Sequence, residues 1–294
     1  MFPRASASLI VTAPLSAIPS SMISSLSSKS LHNYGVLMVK RVSTGSFEGA
    51  HVFPGGLEEP QDTCQNTSSL SALQICALRE TFEETGLLLT DTLPPDSTTT
   101  RGKSFHEMCT SAVRFLDPQS VGRWVTPRAQ KKRFDTRFFM VNIGDSEQSR
   151  RVVDQLRQVR VQESEVVRVV WVQPDEALQA NMQGKLPLFP PQFYMLSELG
   201  RERRWQALAA QVGDSRRAVE PVLCGRSDGM TVALLPGDKA YERRMGGSDG
   251  GDGGLFCEAG AGPLHRLVMR KAESGGFHCI RLLQTIQAQQ QPSL

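Results

Sequence analysis

The stretch Arg79-Glu80-Thr81-Phe82-Glu83-Glu84-Thr85-Gly86 crowds three carboxylates into a short segment, and no other part of the chain limits the fold as strongly. Leu73, Ala77, Leu78, Thr81 and Phe82 recur at three- and four-residue spacing, which predicts a helix over 71–84 with Gly86 as its C-cap. On that helix Glu80, Glu83 and Glu84 stand at i, i+3 and i+4 and project from one face, where like charges repel. Two readings are open. The face is simply solvated, or it binds a hard divalent cation such as Mg²⁺ or Mn²⁺, for which clustered carboxylates are the fitting donors. Arg79 can hold one of these carboxylates in a fixed fork.

The rest of the composition narrows the class without identifying it. A chain of 294 residues, 39% hydrophobic and 21% charged, can bury a full core. A net charge of +3 is too small to imply nucleic-acid binding by bulk field, and no apolar run is long enough to span a membrane as a helix. The six cysteines are scattered without a Cys-x-x-Cys pair, which argues against a zinc site and for a reducing, intracellular setting. Residues 1–47 lack Asp and Glu and are rich in serine, as a mitochondrial transit peptide is. Against that reading, Arg4 is the only basic residue before Lys29, and the run from Ala7 to Ala13 reads as a strand.

Strands are predicted over 6–13, 34–41, 51–53, 133–143 and 164–172, and helices from Pro174 to Gly184 and again after Pro190. The Ser-rich separator near 15–32 is long for a hairpin loop and is expected to project or to be mobile. Pro54-Gly55-Gly56 is expected to turn sharply. This mixture without a regular βαβ rhythm implies a mixed sheet covered by helices. The composition changes near residue 213, so the chain divides into 1–212 and a small α+β extension, 213–294, with a Gly-rich insert at 246–254.

The segment from Gly56 through Arg79-Glu80-Thr81-Phe82-Glu83-Glu84-Thr85-Gly86-Leu87 resembles the signature of the Nudix hydrolases. Three departures stand out. Thr81 occupies an apolar position, Asp62 replaces the isolated upstream Glu, and the step of 79 − 56 = 23 residues is nine longer than the plain signature, pointing to an insertion near 63–71. The blocks 48–56, 75–89, 123–139 and 190–194 together resemble the Nudix subgroup that includes peroxisomal coenzyme A diphosphatase, and Leu235-Pro236-Gly237-Asp238 fits it more weakly.

The resemblance implies an α/β fold, the Nudix α/β/α sandwich, and metal-dependent hydrolysis of a nucleoside diphosphate derivative. The expected substrate is coenzyme A or an acyl-coenzyme A, cut to 3′,5′-ADP and (acyl-)phosphopantetheine. ADP-ribose, NADH or a dinucleotide is the rival substrate, and a non-catalytic binding module is a rival of another class. By the same resemblance Glu83, Glu84 and the Gly56 carbonyl would hold Mg²⁺ or Mn²⁺, with Glu80 a ligand or the base. Arg79 would orient the carboxylates, and Glu165, or else Glu163, would add a ligand from outside the helix.

Arg41 and Arg133 are candidates to meet substrate phosphate, each with a bland alternative as a surface charge. His51 could shuttle a proton or merely pack. Asp135 reads as a structural ion pair, and Phe193, Tyr194, Trp124 and Trp171 as core, with adenine stacking the alternative for the first two. A small-molecule nucleotide is the expected partner, with no nucleic acid or membrane and a homodimer left open. The final Gln291-Pro292-Ser293-Leu294 lacks the basic middle residue of a Ser-Lys-Leu signal, so peroxisome, cytosol and mitochondrion all stay open.

Overall fold

A computed structural model describes residues 2–24, 30–41, 49–63, 70–90, 104–109, 113–144, 152–153, 167–210, 218–225, 228–245, 262–272 and 276–284. The first strand, β1 (Arg4–Pro14), organises the rest. From Ser6 onward it is buried on both faces, which is why its sequence is a nearly unbroken run of small and aliphatic residues. At one end β1 pairs antiparallel with β2 (Tyr34–Arg41), and at the other with β4 (Gly55–Leu57), which follows β3 (His51–Val52). Along its far side it runs parallel to β6 (Phe134–Asn142). β5 (Gln119–Val125) extends the sheet from β6, β7 (Val167–Val172) pairs with β2, and β8 (Ala218–Val219) closes the edge parallel to β5.

The alternation of β1 divides the core. Leu9, Val11 and Ala13 meet Ile75, Leu78 and Leu87 on the side of α1 (Ala72–Thr85). Ile10 meets Phe138, Ala177 and Leu196 on the other side, under helices that follow β7. These are α3 (Pro174–Met182) and α4 (Pro190–Leu199), counted after a short α2 (Phe105–Met108). The result is a mixed sheet between helices, the α/β class read from the sequence. α5 (Trp205–Ala210) leads into β8.

A second, antiparallel sheet follows, ordered β12-β11-β10-β9, from β9 (Val222–Gly225), β10 (Thr231–Leu234), β11 (His265–Lys271) and β12 (Phe277–Gln284). α6 (Lys239–Met245) lies between β10 and β11. Ala233, Leu267 and Ile280 of this sheet share the apolar cluster of α3 and α4. Asn181 ties the two parts by donating to the Leu186 and Phe277 carbonyls at 2.9 and 2.7 Å and accepting from Ile280 N–H at 3.0 Å. At the base of α6, Asp238 accepts from Arg266 Nε and Nη2 at 2.7 and 2.8 Å. No helix among the described residues is long and apolar enough to cross a membrane.

One local expectation is corrected. The separator does not project throughout: Ala17 and Ile18 are buried, and Ile23 bridges to Trp171. Its apolar residues lie against the core, a placement that counting serines does not reveal. The sharp turn expected at Pro54-Gly55-Gly56 is present: the chain bends at Pro54 and reverses direction between β3 and β4, after which Gly55 and Gly56 pair with Ser8 and Ala7 as strand. A side chain at Gly55 would stand 2.4 Å from the Ala7 carbonyl oxygen, so the close approach of two backbones requires glycine there.

Candidate active site

α1 begins with a capping box, in which Ser71 accepts from Gln74 N–H and Gln74 accepts in return. It ends where Gly86 takes the left-handed conformation, φ 71°. Ile75, Leu78 and Thr81 face the core. Thr81 substitutes for an apolar residue because its hydroxyl is satisfied inside the helix, donating to the Ala77 carbonyl at 2.7 Å. The opposite side turns Glu80 and Glu84 toward β4, with exposed Glu83 beside them on Arg79.

Arg79 organises this side. It is 2% exposed and donates to five partners, the longest bond running from Nη2 to Cys76 Sγ at 3.8 Å. Nε reaches Asp62 Oδ1 at 2.7 Å, and Nη2 reaches Asp62 Oδ2 at 3.2 Å and the Leu57 carbonyl at 3.0 Å. Nη1 takes Glu80 Oε1 at 3.0 Å and Glu83 Oε2 at 2.9 Å together. Burial alone would lower the guanidinium pKa, but the Asp62 bond and the charges of Glu80, Asp62 and Glu83 outweigh it and raise the value. With its nitrogens spent in this way, Arg79 fixes carboxylates from below.

Glu80 and Glu84 meet the glycine strand. Gly55 N–H donates to Glu84 Oε2 at 3.2 Å, and a Cβ at Gly56 would fall 2.3 Å from the Glu80 carboxyl carbon. Burial raises the Glu80 carboxyl pKa, although Arg79 pulls it down. Cys76 lies beneath, its thiol donating to the Leu57 carbonyl at 3.3 Å. Burial first, and then Asp62, push that thiol up to about 12.

Asp62, which the sequence places at the signature's upstream acidic position, has a role there that sequence reasoning did not assign. It is wholly buried, accepts from Glu59 N–H at 2.8 Å, and is consumed by Arg79 rather than presented with the other carboxylates. The signal was available: a buried arginine needs a buried carboxylate, and Asp62 stands at the signature's acidic position.

The other candidates are dispersed. Arg133 sits at the entrance to β6, with Nε on the Thr126 carbonyl at 3.0 Å and Nη2 on Glu220 at 2.7 Å. Arg41 ends β2 opposite Val167, and its side chain lies outside the described residues, as do Glu165 and Glu163. His51 is half-buried in β3, its backbone N–H on the Pro187 carbonyl. Asp135 is bound by Arg123 at both oxygens, and that bond holds its carboxyl below the ordinary range. Phe193, Trp124 and Trp171 are buried. Tyr194 packs against Trp124 and His265, its hydroxyl 3.3 Å from the histidine Nε2.

The donor set fits a hard divalent cation. Glu80, Glu83, Glu84 and the Gly56 carbonyl offer oxygen alone, and a cation would offset the cost of keeping the half-buried Glu80 charged. Among the described residues no three acidic, imidazole or thiol groups stand close enough to close on a cation as they are; Arg79 holds two of them.

Residues 67–199 match a family model described as the NUDT19 Nudix domain. Human acyl-coenzyme A diphosphatase NUDT19 is 29% identical over 225 residues, an alignment covering 64% of this chain and 56% of the human protein, so the chain spans just over half of that relative. The chicken protein of the same name is 26% identical over 71% of this chain and 73% of its own. Among solved structures, a Nudix hydrolase from Alicyclobacillus acidocaldarius superposes with a TM-score of 0.52 at 25% identity, covering 72% of this chain and 99% of that one. The glycine strand, the carboxylate helix, the mixed sheet between helices and these likenesses agree: the chain has the Nudix fold and is similar in sequence to the Nudix hydrolases.

Proposed function

We propose that this chain hydrolyses the pyrophosphate bond of coenzyme A or an acyl-coenzyme A, using Mg²⁺ or Mn²⁺. The observation that carries the reading is the Arg79 hub, which joins Glu80 and Glu83 on one nitrogen directly beside the Gly55–Gly56 strand. The substrate follows from the relatives, which are named for acting on acyl-coenzyme A.

Glu83, Glu84 and the Gly56 carbonyl would hold the cation, with Glu165 adding a ligand and Arg41 and Arg133 meeting phosphate. When bound, the cation supplies charge neutralisation of the pyrophosphate. The chain's own residues do the rest. Arg79 keeps the carboxylates in register, and Glu80, whose burial moves it toward the working pH, takes the proton from water. Water oxygen adds to one phosphorus as the bridging P–O bond breaks, and the second phosphate leaves, giving 3′,5′-ADP and (acyl-)phosphopantetheine.

The test is product analysis by mass spectrometry. The protein is incubated with Mn²⁺ and coenzyme A, acetyl-coenzyme A, ADP-ribose, NADH and diadenosine polyphosphates. Release of 3′,5′-ADP is the expected result. Release of AMP from another component keeps the chemistry and discards coenzyme A, while a folded but silent protein is a binding module.

A further inference from the structure

The turn between β5 and β6 carries Arg128, Lys131, Lys132 and Arg133 within six residues. Arg4 joins them, donating its backbone N–H to the Arg133 carbonyl at 3.0 Å. Glu220 counters two of these charges, its Oε1 lying 3.3 Å from Arg128 and 2.7 Å from Arg133. Arg4, Lys131 and Lys132 are exposed and form no ion pair among the described residues. Arg133 is only 15% exposed and is fixed by Thr126 and Glu220. Asp135 is taken by Arg123 and exposed Glu58 lies beside Arg4, so the four cations of 128–133 against Glu220 leave positive potential on the turn.

The register places the turn at the reaction centre's end of the sheet. Gly56 lies opposite Ala7, and Arg4 lies opposite Phe134, next to Arg133. Two strand spacings across and four residues along put the Gly56 and Arg133 Cα atoms roughly 16 Å apart. An extended cationic side chain and a ribose together bridge that gap. Glu80, Glu83 and Glu84, with exposed Glu58 and Glu59 beyond β4, make the centre itself anionic. A phosphate that is not cut is repelled there and attracted to the turn.

We propose that the 128–133 turn binds a phosphomonoester carried by the substrate away from the scissile bond, as is the 3′-phosphate of coenzyme A. The inference rests on the coenzyme A reading above and makes the turn the determinant between coenzyme A and its dephospho form. Discrimination acts through charge, so it weakens as salt shortens the screening length.

The test compares kcat/KM for coenzyme A and dephospho-coenzyme A in wild type and in the double variant Lys131→Ala/Lys132→Ala. Both positions are exposed, and the fold tolerates their loss. The expected result is a wild-type preference for coenzyme A that drops about tenfold in the variant, through KM rather than kcat. Arg270→Ala/Lys271→Ala removes equal charge from an exposed strand end and should keep the preference. An unchanged preference in the Lys131/Lys132 variant overturns the proposal. So does an unchanged preference accompanied by lost binding to phosphatidylcholine–phosphatidylserine vesicles, which would make the turn a lipid-surface contact. If wild type cuts neither compound, the coenzyme A reading fails by itself. Calorimetry then decides the turn: tighter binding of 3′,5′-ADP than of AMP, lost in the variant, upholds it, and equal binding overturns it.

Discussion

Asp62 and Arg79 form a two-point ion pair sealed from solvent, Nε on Oδ1 at 2.7 Å and Nη2 on Oδ2 at 3.2 Å. The arginine's remaining nitrogen is thereby aimed at Glu80 and Glu83. Removing one partner strands the other charge in the interior, so Asp62→Ala should lose about 3–5 kcal/mol of stability. Urea denaturation measures this, and a midpoint within error of wild type would show that the pair holds nothing in place.

Glu84 presents the opposite case. It is half-buried, and its bond from Gly55 N–H survives replacement by an amide, which still accepts. Glu84→Gln should therefore melt close to wild type while turnover falls by roughly a hundredfold or more, as for loss of a metal-binding charge. Turnover at the wild-type rate would return the helix face to the solvated reading.

The two glycines of β4 should separate stability from activity. At Gly56 an added methyl meets the end of the Glu80 side chain, which can swing away, so Gly56→Ala should fold yet lose most of its activity. At Gly55 the methyl meets backbone, the Ala7 oxygen at 2.4 Å, and that cannot move without breaking the sheet. Gly55→Ala should cost about 1–3 kcal/mol by overpacking. Paired thermal melts and rate measurements check both. Equal melting temperatures for the two variants would contradict the packing argument.

Asp238 gives a pH dependence with a definite sign. Burial would raise its pKa, but Arg266 and the His265 and Ala240 N–H groups hold the carboxyl below its ordinary value. A folded value below the unfolded one stabilises at pH above about 4 and is lost as pH falls through the folded value. Asp238→Asn should lower the melting temperature clearly at pH 7 and progressively less on acidification toward pH 3. A gap independent of pH would mean that the carboxylate's charge is irrelevant.

Much of this was legible in the chain because it is written locally. The helix period, the Ser71 and Gly86 caps and the aliphatic run of β1 each lie within one segment, so α1 and β1 appear where spacing predicts them. What escaped is long-range. Asp62 meets Arg79 across 17 residues, and Glu220 reaches back 87 residues to Arg133. A charge does not announce its partner when both are common residue types. The second sheet's entry into the α3–α4 cluster was equally hidden, since Ala233, Leu267 and Ile280 look like any strand interior.

The centrality of β1 also sets a timetable for biosynthesis. It leaves the ribosome before the other strands described, yet the partner residues it meets in parallel lie 130 residues later, as where Ser6 meets Thr136. At about 5–20 residues per second, that partner follows roughly 7 to 26 s behind. Through that interval the run Ser8-Leu9-Ile10-Val11-Thr12-Ala13 is without its lasting neighbour, an aliphatic edge of the kind that chaperones shield.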